Sequence, residues 1–234
     1  MTIIVPSACA IDVLHQRIEA LRETIGPRHR IIIALAGAPG SGKSTIAAKL
    51  LSRLAVNGVH DIAVMPMVIQ DGFLRSKAAL ATFEDPVTAL RRRGTPYTFD
   101  AAAFVTAVKV LRAVCVTAID EPCTSIRIPS FDHAIQDPVP DDICVSSTVR
   151  VLIVEGNYTL FNQPPWNEMV GLAIEKWFVD VPRSVAMLRL AKRHILAGVE
   201  TTMEAAEARV EKNDLPNGDM IRENLINPDI ILQG

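Results

Sequence analysis

The sequence predicts an α/β fold: a three-layer arrangement in which a parallel five-stranded sheet carries helices on both faces. Three observations predict it. Short apolar runs rich in β-branched residues alternate with segments of helical periodicity. The first of these runs leads into a glycine-rich turn that opens a helix. Acidic residues then recur where later runs end, as expected when right-handed crossovers gather parallel strand ends along one edge.

The elements follow in order. Ile11, Leu14, Ile18, Leu21 and Ile25 recur at helical spacing within residues 8–25, and Gly26-Pro27 stops that helix. Residues 31–36 form a continuous apolar run suited to a central strand covered on both faces. Beyond the glycine-rich turn, Ile46, Leu50, Leu51 and Leu54 share one side of a helix. Residues 62–69 give the second strand, ending at Gln70-Asp71-Gly72. Asp85-Pro86 opens a helix reaching Arg93 and closed by Gly94, and Asp100 N-caps another that runs to about Val114. Residues 122–146, rich in Pro, Ser and Asp, suit short strands and loops inserted at the working edge of the sheet. Residues 149–154 and 177–179 supply the third and fourth strands. A helix runs from Pro182 to about Ala197, another lies near 202–213, and residues 230–232 form the last strand. Residues 213–217 read as a turn through Pro-Asn-Gly.

No repeat or low-complexity linker interrupts the chain, so residues 1–234 are expected to form one domain, which a longer protein could contain. Hydrophobic residues make up 49% and charged ones 21%, the composition of a soluble globule. The net charge of −2 argues against a dedicated nucleic-acid binder. Cys9, Cys115, Cys123 and Cys144 form no C-x-x-C pair and no metal-type spacing with histidine, and are expected to be reduced thiols. There is no secretory pattern at the start and no apolar stretch of spanning length, so the expected location is the cytoplasm, without a membrane partner.

Residues Gly37, Ala38, Pro39, Gly40, Ser41, Gly42, Lys43, Ser44 and Thr45 match G-x-x-x-x-G-K-[ST] in full. Glycines let successive N–H groups turn inward on phosphate oxygens, and the following helix points its positive end at the same anion. Lys43 is expected to reach the β- and γ-phosphates of a bound ATP, and the Ser44 hydroxyl to hold Mg²⁺. The preceding buried strand and the following apolar-faced helix are the context this motif requires, and they make the fold P-loop NTPase-like.

Two carboxylates join it. Asp71, after the second strand, could take the proton of an attacking hydroxyl; Asp-Gly pairs also make turns, so a capping role stays open. Glu155, at the end of the third strand, could hold Mg²⁺ directly or through water, or simply cap the next segment. Asp180 also ends a strand, and Pro182 two residues later favours a capping role.

Together these segments resemble the P-loop small-molecule kinases that include uridine kinase, pantothenate kinase and phosphoribulokinase, and most closely the nucleoside/fructose-transport-type kinases. The resemblance spans about residues 31–232: GAPGSGKST at 37–45, DGFL at 71–74, RRGTPYTFD at 92–100, PSFDHAIQDP at 129–138, VEGNY at 154–158, WFVDVP at 177–182, RLAKRH at 189–194 and NDLPNG at 213–218. It implies a kinase-type fold with a small lid, Asp71 as base and Glu155 as Mg²⁺ partner. It also implies that Arg189 and Arg193 close over the triphosphate, although by themselves they read as a solvated helix face. Tyr97, Phe131, Asp132 and His133 fall in segments that resemble the acceptor pocket; His133 also reads as a loop histidine satisfied by backbone. DGFL departs from the Asp-Ser-Phe-Tyr type segment of uridine kinase, so the reaction type carries over further than the acceptor.

The expectation is a phosphotransferase moving the γ-phosphate of ATP to a hydroxyl of a small molecule. A nucleoside ranks first, pantothenate or a simple sugar second. A P-loop ATPase or GTPase switch would need a base-specifying N-K-x-D, which the sequence lacks; a nucleotide-binding module without chemistry is the other alternative. A homodimer or a fused partner domain stays open, as does the choice between ATP and GTP.

Overall fold

The computed structural model describes residues 1–57, 62–65, 68–132 and 134–234, with the backbone alone at 62–65, 68 and 69. Strands β1 (Ile3–Pro6), β2 (Ile31–Gly37) and β3 (Ile62–Met65) precede a β-hairpin of β4 (Ser125–Asp132) and β5 (Asp137–Ser146). Strands β6 (Val151–Gly156), β7 (Glu175–Asp180) and β8 (Ile230–Gln233) follow. The first two helices are α1 (Ala10–Thr24) and α2 (Lys43–Val56). Short helices α3 (Val68–Gly72), α4 (Lys77–Leu80) and α5 (Pro86–Arg91) precede α6 (Ala101–Ala113) and α7 (Met169–Leu172). The last three are α8 (Arg183–Leu196), α9 (Met203–Arg209) and α10 (Leu215–Glu223).

The main sheet runs β1-β8-β7-β2-β6-β3, and every pair is parallel. The five expected strands are all there. β1 is a sixth, pairing Ile3 with Ile230 at the edge of the sheet. Its four residues are too few to show a period, and its partner lies at the other end of the chain.

Alternation builds the two faces. Along β2, Ile31, Ile33 and Leu35 join Leu14, Ile18, Leu50 and Leu54 of α1 and α2 in one apolar layer. Ile32, Ala34 and Ala36 point the other way, toward Phe104, Val108 and Leu111 of α6 and the ring of Trp166. Both faces are covered, so β2 and β6 are apolar at nearly every position and fully buried. A third cluster, around Val181, Leu190, Ala206 and Val210, fastens α8 to α9 beside the glycine-rich turn.

Helix boundaries follow the caps. Asp85 accepts the Thr88 N–H and Asp100 the Ala103 N–H, each at 3.0 Å, as the sequence predicts. Three expectations change. Residues 68–72 continue the second apolar run as helix α3, so Asp71 stands on a helical turn beyond the strand. Asp180 caps nothing: it accepts from Arg222 Nε at 3.0 Å, because the first turn of α8 is entered through Pro182. Residues 213–217 are not a turn but the junction of the π-helical stretch Val210–Asp214 with α10. Pro216 sits at the second position of α10, where no N–H partner is needed, so the Pro-Asn-Gly run fits inside a helix start. The four cysteines are free and exposed. Among the described residues no helix is long and apolar enough to cross a membrane.

Candidate active site

The glycine-rich turn joins β2 to α2 across the C-terminal edge of the sheet. Gly42 has φ +97°, a region open to glycine at little cost, and this sets α2 so that its first amides face outward over the edge. Lys43 is 3% exposed. Its ammonium donates to Gly37 O at 2.9 Å, Ala38 O at 3.2 Å and Asn157 Oδ1 at 2.8 Å. Burial pushes its pKa down from 10.5 to about 8, while Glu155 and Asp71 oppose the shift and Arg193 adds to it. Lys43 is therefore coupled electrostatically to both acids expected from the sequence.

Ser44 Oγ donates to Glu155 Oε1 at 2.7 Å. Glu155 is buried at the end of β6, in register with Leu35 of β2. A hydroxyl and a carboxylate form an all-oxygen pair of the kind a hard cation takes. Among the described residues no group of three His, Cys, Asp or Glu could hold a metal. The Ser41 hydroxyl, 2% exposed, is buried in the turn with no hydrogen-bond partner among the described residues, a donor suited to an anion at this position.

Asp71 lies half-buried on α3. A side chain at Gly72 would meet Pro129 O at 2.6 Å, so this glycine lets the β4–β5 hairpin pass directly behind the aspartate. The hairpin bulges between Ile128 and Ser130, around Pro129, where a proline can stand without breaking a ladder bond.

Three cavities meet here. One of ≈ 300 Å³ is lined by Gly42, Lys43, Ser44, Asn157, Arg189 and Arg193. A second, ≈ 350 Å³, holds Asp71, Arg91, Arg92, Asn157 and Arg193. A third, ≈ 490 Å³, runs past Thr45 and Lys49 to Ser7, Ala8 and Ile11. Asn157 and Arg193 line both the first and the second. Gly42, Thr45 and Arg189 line both the first and the third.

The sequence pattern of the phosphoribulokinase/uridine kinase family matches residues 32–212. The chain belongs to the phosphoribulokinase/uridine kinase family. A Schizosaccharomyces pombe protein provisionally named a uridine kinase is 39% identical over 229 residues, covering 97% of this chain and 92% of its own length. Two solved structures share the fold of this family member. A provisionally named fructose transport system kinase from Silicibacter sp. TM1040 superposes with TM-score 0.77 at 31% identity, over 94% of this chain and 98% of that one. YFH7 from Saccharomyces cerevisiae, a provisional P-loop kinase with a circular permutation, superposes with TM-score 0.76 at 25% identity, over 96% and 98%. The chain is thus a P-loop kinase of this family.

The other sequence-predicted residues are placed as follows. Arg189 and Arg193 lie one turn apart on α8. Arg189 Nη1 donates to Ser41 O at 3.0 Å and Gly40 O at 3.3 Å, clasping the outside of the turn. Tyr97 is exposed on the 3-10 turn Pro96–Thr98. The guanidinium of Arg93 stands over the Phe131 ring, 5.6 Å from its centroid. Asp132 accepts from Ala134 N at 2.7 Å and Ile135 N at 3.4 Å, closing its own loop. None of these three lines the cavity that holds Asp71. His133 lies outside the described residues.

Several participants escape the sequence. Asn157 holds Lys43; in sequence it stood within the VEGNY segment of the resemblance, with no role attached to it. Tyr158 and Asn217 form a buried bracket. The Tyr158 hydroxyl lies 2.7 Å from Gly94 O and 2.5 Å from Asn217 Oδ1, and Asn217 Nδ2 donates to Gly94 O at 3.2 Å. Burial raises the Tyr158 pKa further above its ordinary value, so the phenol keeps its proton. Arg91 and Arg92, to which the sequence assigned no role, border the Asp71 cavity.

Proposed function

We propose that this chain is a Mg·ATP-dependent kinase that transfers the γ-phosphate to a hydroxyl of a small molecule. The observation that carries it is the convergence of Lys43, the Ser44–Glu155 pair and Asp71 on adjoining cavities at one edge of the sheet. The triphosphate lies along the turn, against the α2 amides, the Ser41 hydroxyl and Lys43. Ser44 and Glu155 would hold Mg²⁺, which neutralises charge on the triphosphate oxygens. The ≈ 490 Å³ cavity is the right size for the donor's base and sugar.

Asp71 accepts the proton of the acceptor hydroxyl as its oxygen attacks phosphorus. Arg193, on the border between the two cavities, balances the charge of the group in transit. Arg189 keeps the turn in shape from behind through its two carbonyl contacts. As for the acceptor, a nucleoside is the first expectation from sequence. The polar lining around Asp71 favours the second, pantothenate or a simple sugar.

The test is γ-phosphate transfer from Mg·ATP to a panel of nucleosides, pantothenate, sugars and sugar phosphates, beside Asp71→Asn. The expected outcome is one acceptor phosphorylated and kcat reduced by roughly 10²–10⁴-fold in Asp71→Asn, with ATP binding retained. Full activity in Asp71→Asn removes the assigned base. ATP hydrolysis that ignores every acceptor favours a switch ATPase instead.

A further inference from the structure

Arg193 lines both the cavity of the glycine-rich turn and the cavity of Asp71. Arg189, one turn earlier, is held by two carbonyls. Among the described residues the Arg193 guanidinium has no such hydrogen-bond partner. Its reach into either cavity is therefore set by where the last turn of α8 stands. A last turn has carbonyls without helical partners, and it frays unless something holds it.

Two devices hold this one, and both run through His194. The His194 carbonyl accepts from Val199 N at 2.9 Å, and the Ile195 carbonyl from Gly198 N at 3.0 Å. With Gly198 at φ +66°, these bonds form a Schellman motif that closes the helix end. The His194 side chain, 13% exposed, places Nε2 3.0 Å from Oδ2 of Asp214, whose own side chain is 20% exposed. The pair is mostly out of water, where salt screens it little.

The backbone explains why Asp214 stands there. Ala206, Val210 and Leu215 pack with Leu190 and Ala191 of α8 in the third apolar cluster. Their spacing is four residues and then five. In an α-helix the fifth residue on is turned well away, whereas over the π-helical stretch Val210–Asp214 it returns to the same side. Leu215 thus stays on the apolar seam, and Asp214, just before it, borders the Asp71 cavity together with His194 and Arg193.

The helix start that follows fixes two more parts of the site. Asn217 donates to Gly94 O at 3.2 Å, the carbonyl that ends the arginine loop of Arg91, Arg92 and Arg93. A side chain at Gly218 would meet Ala38 Cβ at 3.1 Å, so α10 lies directly against the glycine-rich turn. Residues 214–218 therefore touch α8, the arginine loop and the glycine-rich turn at once.

We propose that Asp214 is a positioning residue for phosphoryl transfer: through His194 it fixes the last turn of α8 so that Arg193 meets the phosphoryl group in transit. This rests on the kinase reading above. In that step the acceptor oxygen bonds to the γ-phosphorus and its proton passes to Asp71. The bond to the β,γ-bridging oxygen breaks, and its electron pair leaves on ADP.

The experiment compares two complexes of the full chain: Mg·ADP alone, and Mg·ADP with aluminium fluoride, which stands in for the transferring phosphoryl group. Titration calorimetry reads the Kd of each. Asp214→Asn and His194→Ala are each expected to weaken the fluoride complex roughly tenfold, the loss of one charge-assisted contact. Binding of Mg·ADP alone should stay within about twofold. In an Arg193→Met background, Asp214→Asn should cost nothing further, because both changes take the same guanidinium out of play. Urea melts of every variant report the fold separately. Equal weakening of both complexes, in step with a lower unfolding midpoint, makes Asp214 a structural brace and overturns the proposal. Losses from Asp214→Asn and Arg193→Met that add in the double variant overturn it too, as does wild-type binding in Asp214→Asn. A wild type that gains no affinity from the fluoride also overturns it, since Arg193 then meets no transferring group. All of these leave the kinase reading standing. No transfer from Mg·ATP to any acceptor of the panel overturns that reading and this proposal with it.

Discussion

Lys43 concentrates the electrostatics of the site in one residue. It is an ammonium taken almost wholly out of water, held by two carbonyls and one amide oxygen. Its charge waits for an anionic ligand, and until then burial costs stability. In the unfolded chain it holds its proton up to the usual 10.5; in the folded chain it begins to release it near 8. Between those values the unfolded state binds more protons, so the folded state gains as pH rises. The wild type should therefore gain on Lys43→Met, which cannot titrate, by about 1 kcal/mol per pH unit across that window. Denaturant melts of both proteins without nucleotide, at pH 7.5, 8.5 and 9.5, would read it. A constant gap across the series would mean that Lys43 is not perturbed.

At the scale of elements, α10 does more than continue the chain. Its first turn supplies Asn217, which brackets Tyr158 and the Gly94 carbonyl at the heart of the site. Asn217→Ala removes two hydrogen bonds from a buried position and leaves the Tyr158 hydroxyl with Gly94 alone. A loss of about 1–3 kcal/mol in stability is expected by denaturant unfolding. Because the same bracket carries the arginine loop, the acceptor KM should rise more than the KM for ATP. Apart from its part in the resemblance, the NDLPNG run gave only a turn signal in sequence, since Pro-Asn-Gly is read locally as a breaker. Helix α10 wins because Pro216 falls at the helix start and the apolar face of Leu215 and Ile221 is buried. Gly72 belongs to this scale too: it was legible as a turn former beside Asp71, whereas its role as the gap through which Pro129 passes needed the hairpin in place.

At the scale of the molecule, the two ends of the chain are neighbours. β1 lies on β8 at the edge of the sheet, and the turn after β1 brings Ser7, Ala8 and Ile11 to the cavity proposed for the donor's base. This wall lies outside residues 32–212, the part of the chain that carries the family pattern. Ala8→Trp should fill the cavity from that wall. The KM for ATP is expected to rise roughly tenfold, a loss of the order of one good contact. Inhibition by inorganic tripolyphosphate, which has no base, should not change. An unaltered KM for ATP would place the base elsewhere.

The sequence by itself determined the fold class, five of the six strands of the main sheet and the glycine-rich turn that joins β2 to α2. These are local signals: an apolar run must be buried, a G-x-x-x-x-G-K-S turn must bend, and a carboxylate at a strand end reaches the working edge. Only the tertiary structure decided what stands around Asp71. The Tyr158–Asn217–Gly94 bracket joins three segments far apart in the chain, and β1 pairs with a strand at the opposite terminus. Such pairings leave no period in any window of sequence. The aromatic residues assigned by resemblance to the acceptor do not line that cavity, while Arg91 and Arg92, given no role from sequence, border it. A cavity's lining is set by how elements pack, and packing is a property of the whole chain.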